Sequence, residues 1–150
     1  MSHGARQAAL RALDAVLRER RMLAHLPGDG RLAPGDQARA ARLVALTLRH
    51  LEPLDACLAA YLDRKPQPAA LAILRLAACE LLITGEDAHG VVDSAVTIAK
   101  QQKPTARSAG MINAVLRKLA IEGAERFAAQ PAQRLPGWIG GPIKKRWGAE

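Results

Sequence analysis

Apolar residues recur every three or four positions along most of this chain, and prolines or glycines separate the repeats. That period marks one face of an α-helix. A first helix is predicted over residues 6–23, with Ala9, Leu10, Leu13, Val16 and Leu17 inward. Arg11, Asp14, Arg18 and Arg21 are spaced three, four and three, so they share its opposite face. Pro27, Gly28 and Gly30 break it. Asp36 is the expected N-cap of a second helix reaching residue 50, with Val44, Leu48 and Leu51 inward. Pro53 admits a third helix on the stripe Leu54, Leu58 and Leu62. After Pro66 and Pro68, residues 69–83 are apolar on nearly all sides, which predicts a central helix. A fifth helix is expected over residues 91–102, with Val92, Ala95, Val96 and Ala99 apolar. Pro104 ends it, and Thr105 is the expected cap of a sixth helix reaching residue 121. Met111, Ile112, Val115, Leu116 and Leu119 form that helix's inner stripe, and Gly123 is its expected C′ residue. No segment alternates like a strand, so the predicted fold class is all-α.

The chain has 150 residues, which suits one domain. A domain of that size buries about 68–70% of its unfolded surface without a disulfide or metal. Aromatic residues are only 3%, in keeping with close-packed helices rich in Ala, Leu and Val. Pro131, Pro136, Gly137, Gly140, Gly141 and Pro142 interrupt any long helix at the end of the sequence. The expected division is a helical domain over 1–130 and a linker, or the opening of a further domain, over 131–150.

Lys and Arg total 22 against 14 acids, a net charge of +8. Such an excess favours a polyanion, either nucleic acid or an anionic membrane surface, or it forms a plain solvated face. Arg11, Arg18 and Arg21 lie on the first helix, and Arg39, Arg42 and Arg49 on the second. Lys100, Lys103 and Arg107 flank the turn between the fifth and sixth. The planar guanidinium fork of Arg suits phosphate oxygens. With two Trp, one Tyr and one Phe there is no platform for stacking several bases, so binding is expected to read backbone and shape.

Catalytic signatures are missing. The sequence holds no GxGxxG, P-loop or HExxH, and His3, His25, His50 and His89 lie in separate segments without ligand spacing. Cys57 and Cys79 fall in apolar helical patterns and are expected to be buried free thiols. No catalytic residue, metal or cofactor site is expected in the chain. MSHGARQAAL lacks the apolar core of a signal peptide, and no apolar run of about 18 residues occurs, so a cytoplasmic, non-membrane protein is expected.

Three stretches carry a resemblance. LRLAACELL (74–82), HGVVDSAVTIAK (89–100) and MINAVLRKL (111–119) resemble successive helices of the NusB-type domain. The fit is best to the version at the N-terminus of small-subunit ribosomal RNA cytosine-5 methyltransferases, the RsmB, Sun or Fmu family, over roughly residues 6–148. NAVLRKL is the most specific element, because antiterminator NusB proteins often carry an acid where this chain has Arg117. LPGWIGGPIKKRWG (135–148) resembles the basic, two-tryptophan motif that leads into the methyltransferase part, so the chain looks like a piece of a longer one.

The resemblance implies a NusB-like bundle of two packed three-helix subbundles. It implies a parent enzyme that transfers a methyl group from S-adenosylmethionine to carbon 5 of a cytosine in ribosomal RNA, in a downstream domain acting in cis. In NusB relatives the first helix binds RNA, and Arg6, Arg11 and Arg18 match that segment by position. The expected RNA-binding set is Arg6, Arg11, Arg18, Arg21, Arg39, Arg42, Lys100, Lys103, Arg107 and Asn113. For Asn113, RNA contact competes with a structural hydrogen bond to a neighbouring loop. Asp93 is expected near the amides that open the fifth helix. The alternative role is a stand-alone NusB-type antitermination module that pairs with a ribosomal protein.

Overall fold

A computed structural model of the chain describes residues 1–22 and 30–131, and every regular element among them is helical. The elements are α1 (His3–Leu17), α2 (Pro34–Arg49), α3 (Leu51–Ala59), α4 (Pro68–Cys79), α5 (Ala88–Gln101), α6 (Lys103–Ala106) and α7 (Ala109–Ala128). α1 packs along α2 and α5 along α7, while α4 touches every other helix. The apolar segment read as central is therefore central. Leu13, Leu43, Leu54, Leu58, Leu74, Ile112, Leu116 and Leu119 are fully buried around it. Pro27, Gly28, His25 and the motif at 135–148 lie outside the described residues.

Helix ends differ from the sequence reading for local reasons. α1 starts earlier because Ser2 Oγ accepts a hydrogen bond from Ala5 N at 3.1 Å. It stops at Leu17 because residues 18–21 are Arg, Glu, Arg and Arg, with no apolar side chain to bury. Arg20 then turns left-handed at φ 56°. α2 opens on Pro34 with Asp36 inside its first turn, beside the positive end of the helix dipole, and Asp36 is no cap. α5 opens three residues before the expected start. Asp87 caps it by accepting from Gly90 N at 3.1 Å, so Asp93 stands exposed a turn and a half further on.

The central segment is not a single regular helix. α4 passes at Glu80 into a π-helical turn, Glu80–Thr84, which Gly85 closes with φ 68°. Glu80 is 2% exposed. Its carboxylate takes the guanidinium of Arg6, with Nε 3.0 Å from both oxygens and Nη2 2.8 Å from Oε2. Its carbonyl accepts from Gly85 N, Glu86 N and Thr84 Oγ1. One residue thus ties α1 to the bundle centre and shapes the π turn.

Thr105 is also not a cap. It is wholly buried, and its hydroxyl donates to the Ala99 carbonyl at 2.7 Å, folding α6 back on α5. Gly123 is no helix end either, since α7 continues to Ala128. A Cβ at Gly123 would stand 2.8 Å from Leu119 Cδ1 and 3.2 Å from Leu82 Cδ2. Glycine is there because α7 lies hard against the π turn.

Two stability outcomes follow. Arg6→Ala leaves the Glu80 carboxylate buried without its partner and is expected to cost about 3–5 kcal/mol in urea unfolding. The double change Arg6→Met with Glu80→Leu should recover most of that loss, because no charge is then left buried. Gly123→Val should cost about 1–3 kcal/mol by overpacking against the immobile Leu119; an unchanged midpoint would show that α7 can shift outward freely.

Candidate nucleic-acid interface

The inner face of α1 is Ala5, Ala9 and Leu13. Helical geometry at 100° per residue puts Gln7, Arg11, Asp14 and Arg18 on the opposite side, as one stripe at spacings of four, three and four. Arg11 and Arg18 are both exposed. Arg18 Nη1 meets Asp14 Oδ1 at 3.1 Å, but its side chain is 60% exposed. Such a surface pair is worth about 0–1 kcal/mol, so a phosphate can displace the carboxylate at small cost.

The stripe continues across the bundle. Gln7 Nε2 donates to Gln101 Oε1 at 3.2 Å. The ring nitrogens of His3 lie 3.4 Å from Gln101 Oε1 and from Ser94 Oγ. These contacts set the start of α1 against the end of α5. Lys100 occupies the last turn of α5, Lys103 opens α6 and Arg107 ends it, all three exposed. The buried Thr105 hydroxyl holds that turn in shape. Arg11 lies one helical turn beyond Gln7 on α1, and Lys100 directly precedes Gln101 on α5.

Not every expected residue belongs to this surface. Arg6 is a correction: its guanidinium is committed to Glu80, and its side chain is only 13% exposed. Arg21 lies past the end of α1, where its backbone N–H donates to Ala15 O at 3.1 Å, so the helical placement expected for it is corrected. It is exposed, but it does not share the helical stripe of Arg11 and Arg18. Arg39 and Arg42 are exposed on α2, with Arg39 Nη1 3.7 Å from Asp36 Oδ1. α2 packs on α1, α3 and α4.

Asn113 lies elsewhere, on α7. It lines a groove of about 380 Å³ between α5 and α7 with His89, Asp93 and Arg117. The alternative hydrogen bond to a neighbouring loop is not present among the described residues. The sequence reading also missed Gln7 and Gln101 as connectors. They are 94 residues apart, and neither carries a local signal.

The cysteines are poor nucleophiles. Burial pushes the Cys57 thiol up, with Arg126 pulling it partly back. Burial also pushes Cys79 up; a hydrogen bond with Thr47 opposes this and Glu80 adds to it. Both stay protonated and unreactive at neutral pH. Among the described residues no His, Cys, Asp and Glu cluster is arranged to hold a metal, and no helix is long and apolar enough to cross a membrane.

Known proteins resemble this arrangement. The sequence profile of the NusB family matches residues 3–121. Two curated proteins of Mycobacterium tuberculosis are 41% identical to the chain over 88 residues. They are named "Putative methyltransferase MT1451" (strain CDC 1551 / Oshkosh) and "Putative methyltransferase Rv1407" (strain ATCC 25618 / H37Rv). The matched stretch is 57% of this chain and 19% of each relative, so the chain spans about a fifth of their length. Among solved structures, T. maritima NusB superposes with a TM-score of 0.71 at 25% identity, covering 84% of this chain and 96% of that one. With the family profile spanning most of the helical bundle, the chain belongs to the NusB family.

Proposed function

We propose that this chain is an RNA-binding accessory domain that positions ribosomal RNA for an S-adenosylmethionine-dependent cytosine-5 methyltransferase. The observation that supports RNA binding is the exposed Arg11 and Arg18 on α1, together with the Gln7–Gln101 hydrogen bond that brings the start of α1 to the end of α5 beside Lys100. Exposed cations, without an aromatic platform, suit the phosphate backbone more than base edges. The link to methyl transfer rests on the 88 residues shared with two proteins named as methyltransferases, of which they form a small part. The described residues include no strand, hence no strand–glycine-loop–helix cradle of the kind that holds a nucleotide-like cofactor. They do not fit S-adenosylmethionine, and methyl transfer is assigned to a separate domain in cis.

A second reading is a stand-alone antitermination module that pairs with a ribosomal protein. The fit to NusB over 96% of that structure favours it. A pull-down of ribosomal proteins that persists after nuclease treatment would support this reading over the first.

RNA affinity measured by fluorescence anisotropy should fall steeply with salt as counterions leave the phosphates. No salt dependence would sink the electrostatic reading. Arg11→Ala with Arg18→Ala should weaken binding and flatten the log–log salt slope by about two, and Lys100→Ala with Lys103→Ala should do the same. Arg39→Ala with Arg42→Ala should change the slope less than either pair. In a methyltransferase carrying this domain, deleting it should raise KM for RNA while kcat holds; unchanged methylation would reduce the domain to a spacer.

A further inference from the structure

We propose that Arg18, Lys65 and Arg75 form a pocket for a single phosphate group, and that a backbone phosphate of bound RNA fills it. This rests on the RNA-binding reading and extends it to Lys65 and Arg75.

The three cations come from three parts of the fold and line one cavity. Arg18 follows the last residue of α1, Lys65 stands in the connection between α3 and α4, and Arg75 lies within α4. Arg75 is the only charged residue of that otherwise apolar helix. Leu13, Leu17 and Leu71 supply an apolar wall. A wall of low dielectric strengthens the field of the cations beside it. The cavity measures about 150 Å³, well below the roughly 300–1,000 Å³ of a small-molecule pocket. That size suits one compact oxyanion more than a base with its sugar.

Each cation is prepared differently. Asp55 accepts from Arg75 Nε at 2.8 Å and from Arg75 Nη2 at 2.7 Å. Those bonds occupy one edge of the guanidinium, and the edge between Nη1 and Nη2 has no acceptor among the described residues. A phosphate can take that second edge through two parallel N–H···O bonds while Asp55 stays in place. The Arg75 side chain is only 17% exposed, so its position is set before a ligand arrives. Lys65 is exposed and has no ion pair among the described residues. Pro66 follows it and holds its backbone extended. Arg18 is paired only with Asp14, at the surface. Asp14 is the one carboxylate in the lining and opposes an anion there, but an exposed pair of that kind yields at small cost.

The pocket continues the surface on α1. Asp14 and Arg18 belong both to the exposed stripe of that helix and to the lining. RNA lying along Arg11 and Arg18 therefore passes the pocket, and one of its phosphates can enter without any base leaving solvent.

RNA affinity, read by fluorescence anisotropy over a salt series, tests the pocket, with Arg64 as the control. Arg64 is the adjacent exposed cation and takes no part in the lining. Lys65→Ala should weaken binding several-fold and lower the log–log salt slope by about one. Arg64→Ala should leave both close to those of the unmodified chain. Arg75→Lys, which keeps the charge but gives up the forked edge, should weaken binding as Lys65→Ala does. Asp14→Asn should tighten binding several-fold, because the competing carboxylate is gone. Inorganic phosphate at constant ionic strength should compete with RNA only weakly, since it brings none of the neighbouring backbone contacts. Equal losses for Lys65→Ala and Arg64→Ala would reduce the effect to overall charge and overturn the pocket. RNA binding that ignores Lys65→Ala would also overturn it and leave the RNA-binding reading standing. Tight, saturable binding of inorganic phosphate that Lys65→Ala abolishes would assign the pocket to a free phosphate and remove RNA as the source. No RNA binding by the unmodified chain would sink the RNA-binding reading and this extension together.

Discussion

A carboxylate buried at the centre of a helical bundle needs a cation, and here Arg6 is that cation for Glu80. The pair does more than cancel charge. A guanidinium held by both carboxylate oxygens fixes α1 along its axis and about it. Fixing the rotation of α1 decides which residues face out. Gln7 follows Arg6, and from Gln7 the exposed stripe runs through Arg11 and Arg18. The candidate surface for RNA is therefore a consequence of a buried interaction that no RNA would touch.

Two kinds of arginine pair coexist in this fold, and their burial separates their roles. Arg6 with Glu80 is dry, and breaking it leaves an uncompensated charge. Arg75 with Asp55 is intermediate, with a two-point contact at 2.7–2.8 Å and the arginine 17% exposed. Arg18 with Asp14 is wet, and solvent already screens most of its attraction. A polyanion can displace only a partner of the last kind without dismantling the bundle. Burial sorts the basic residues better than their number does.

Much of the fold was legible because helical burial writes a short-range period. The inner stripe of α1, the centrality of α4 and the buried thiols could all be read from spacing. Boundaries were less legible, since Ser2, Pro34 and Asp87 start helices by hydrogen bonding and backbone geometry that apolar spacing does not encode. The candidate site was legible in part. Arg11 and Arg18 follow from the period of one helix, whereas the hydrogen bond that brings α1 to the end of α5 joins two glutamines 94 residues apart. Arg6 was misplaced because its partner is 74 residues away, inside a segment that reads as apolar apart from Arg75 and Glu80. Arg21 was misplaced because the arginine spacing continues after the apolar spacing has stopped.

The same 74-residue separation bears on how the chain matures during synthesis. At about 5–20 residues per second, roughly 4–15 s pass between the making of Arg6 and the making of Glu80. In that interval α1 can pair with α2 through its apolar face, but the Arg6 guanidinium still lacks its carboxylate. The newborn hairpin keeps an unspent arginine until the ribosome delivers the central helix, so the register of the first helix is locked by a residue made long after it.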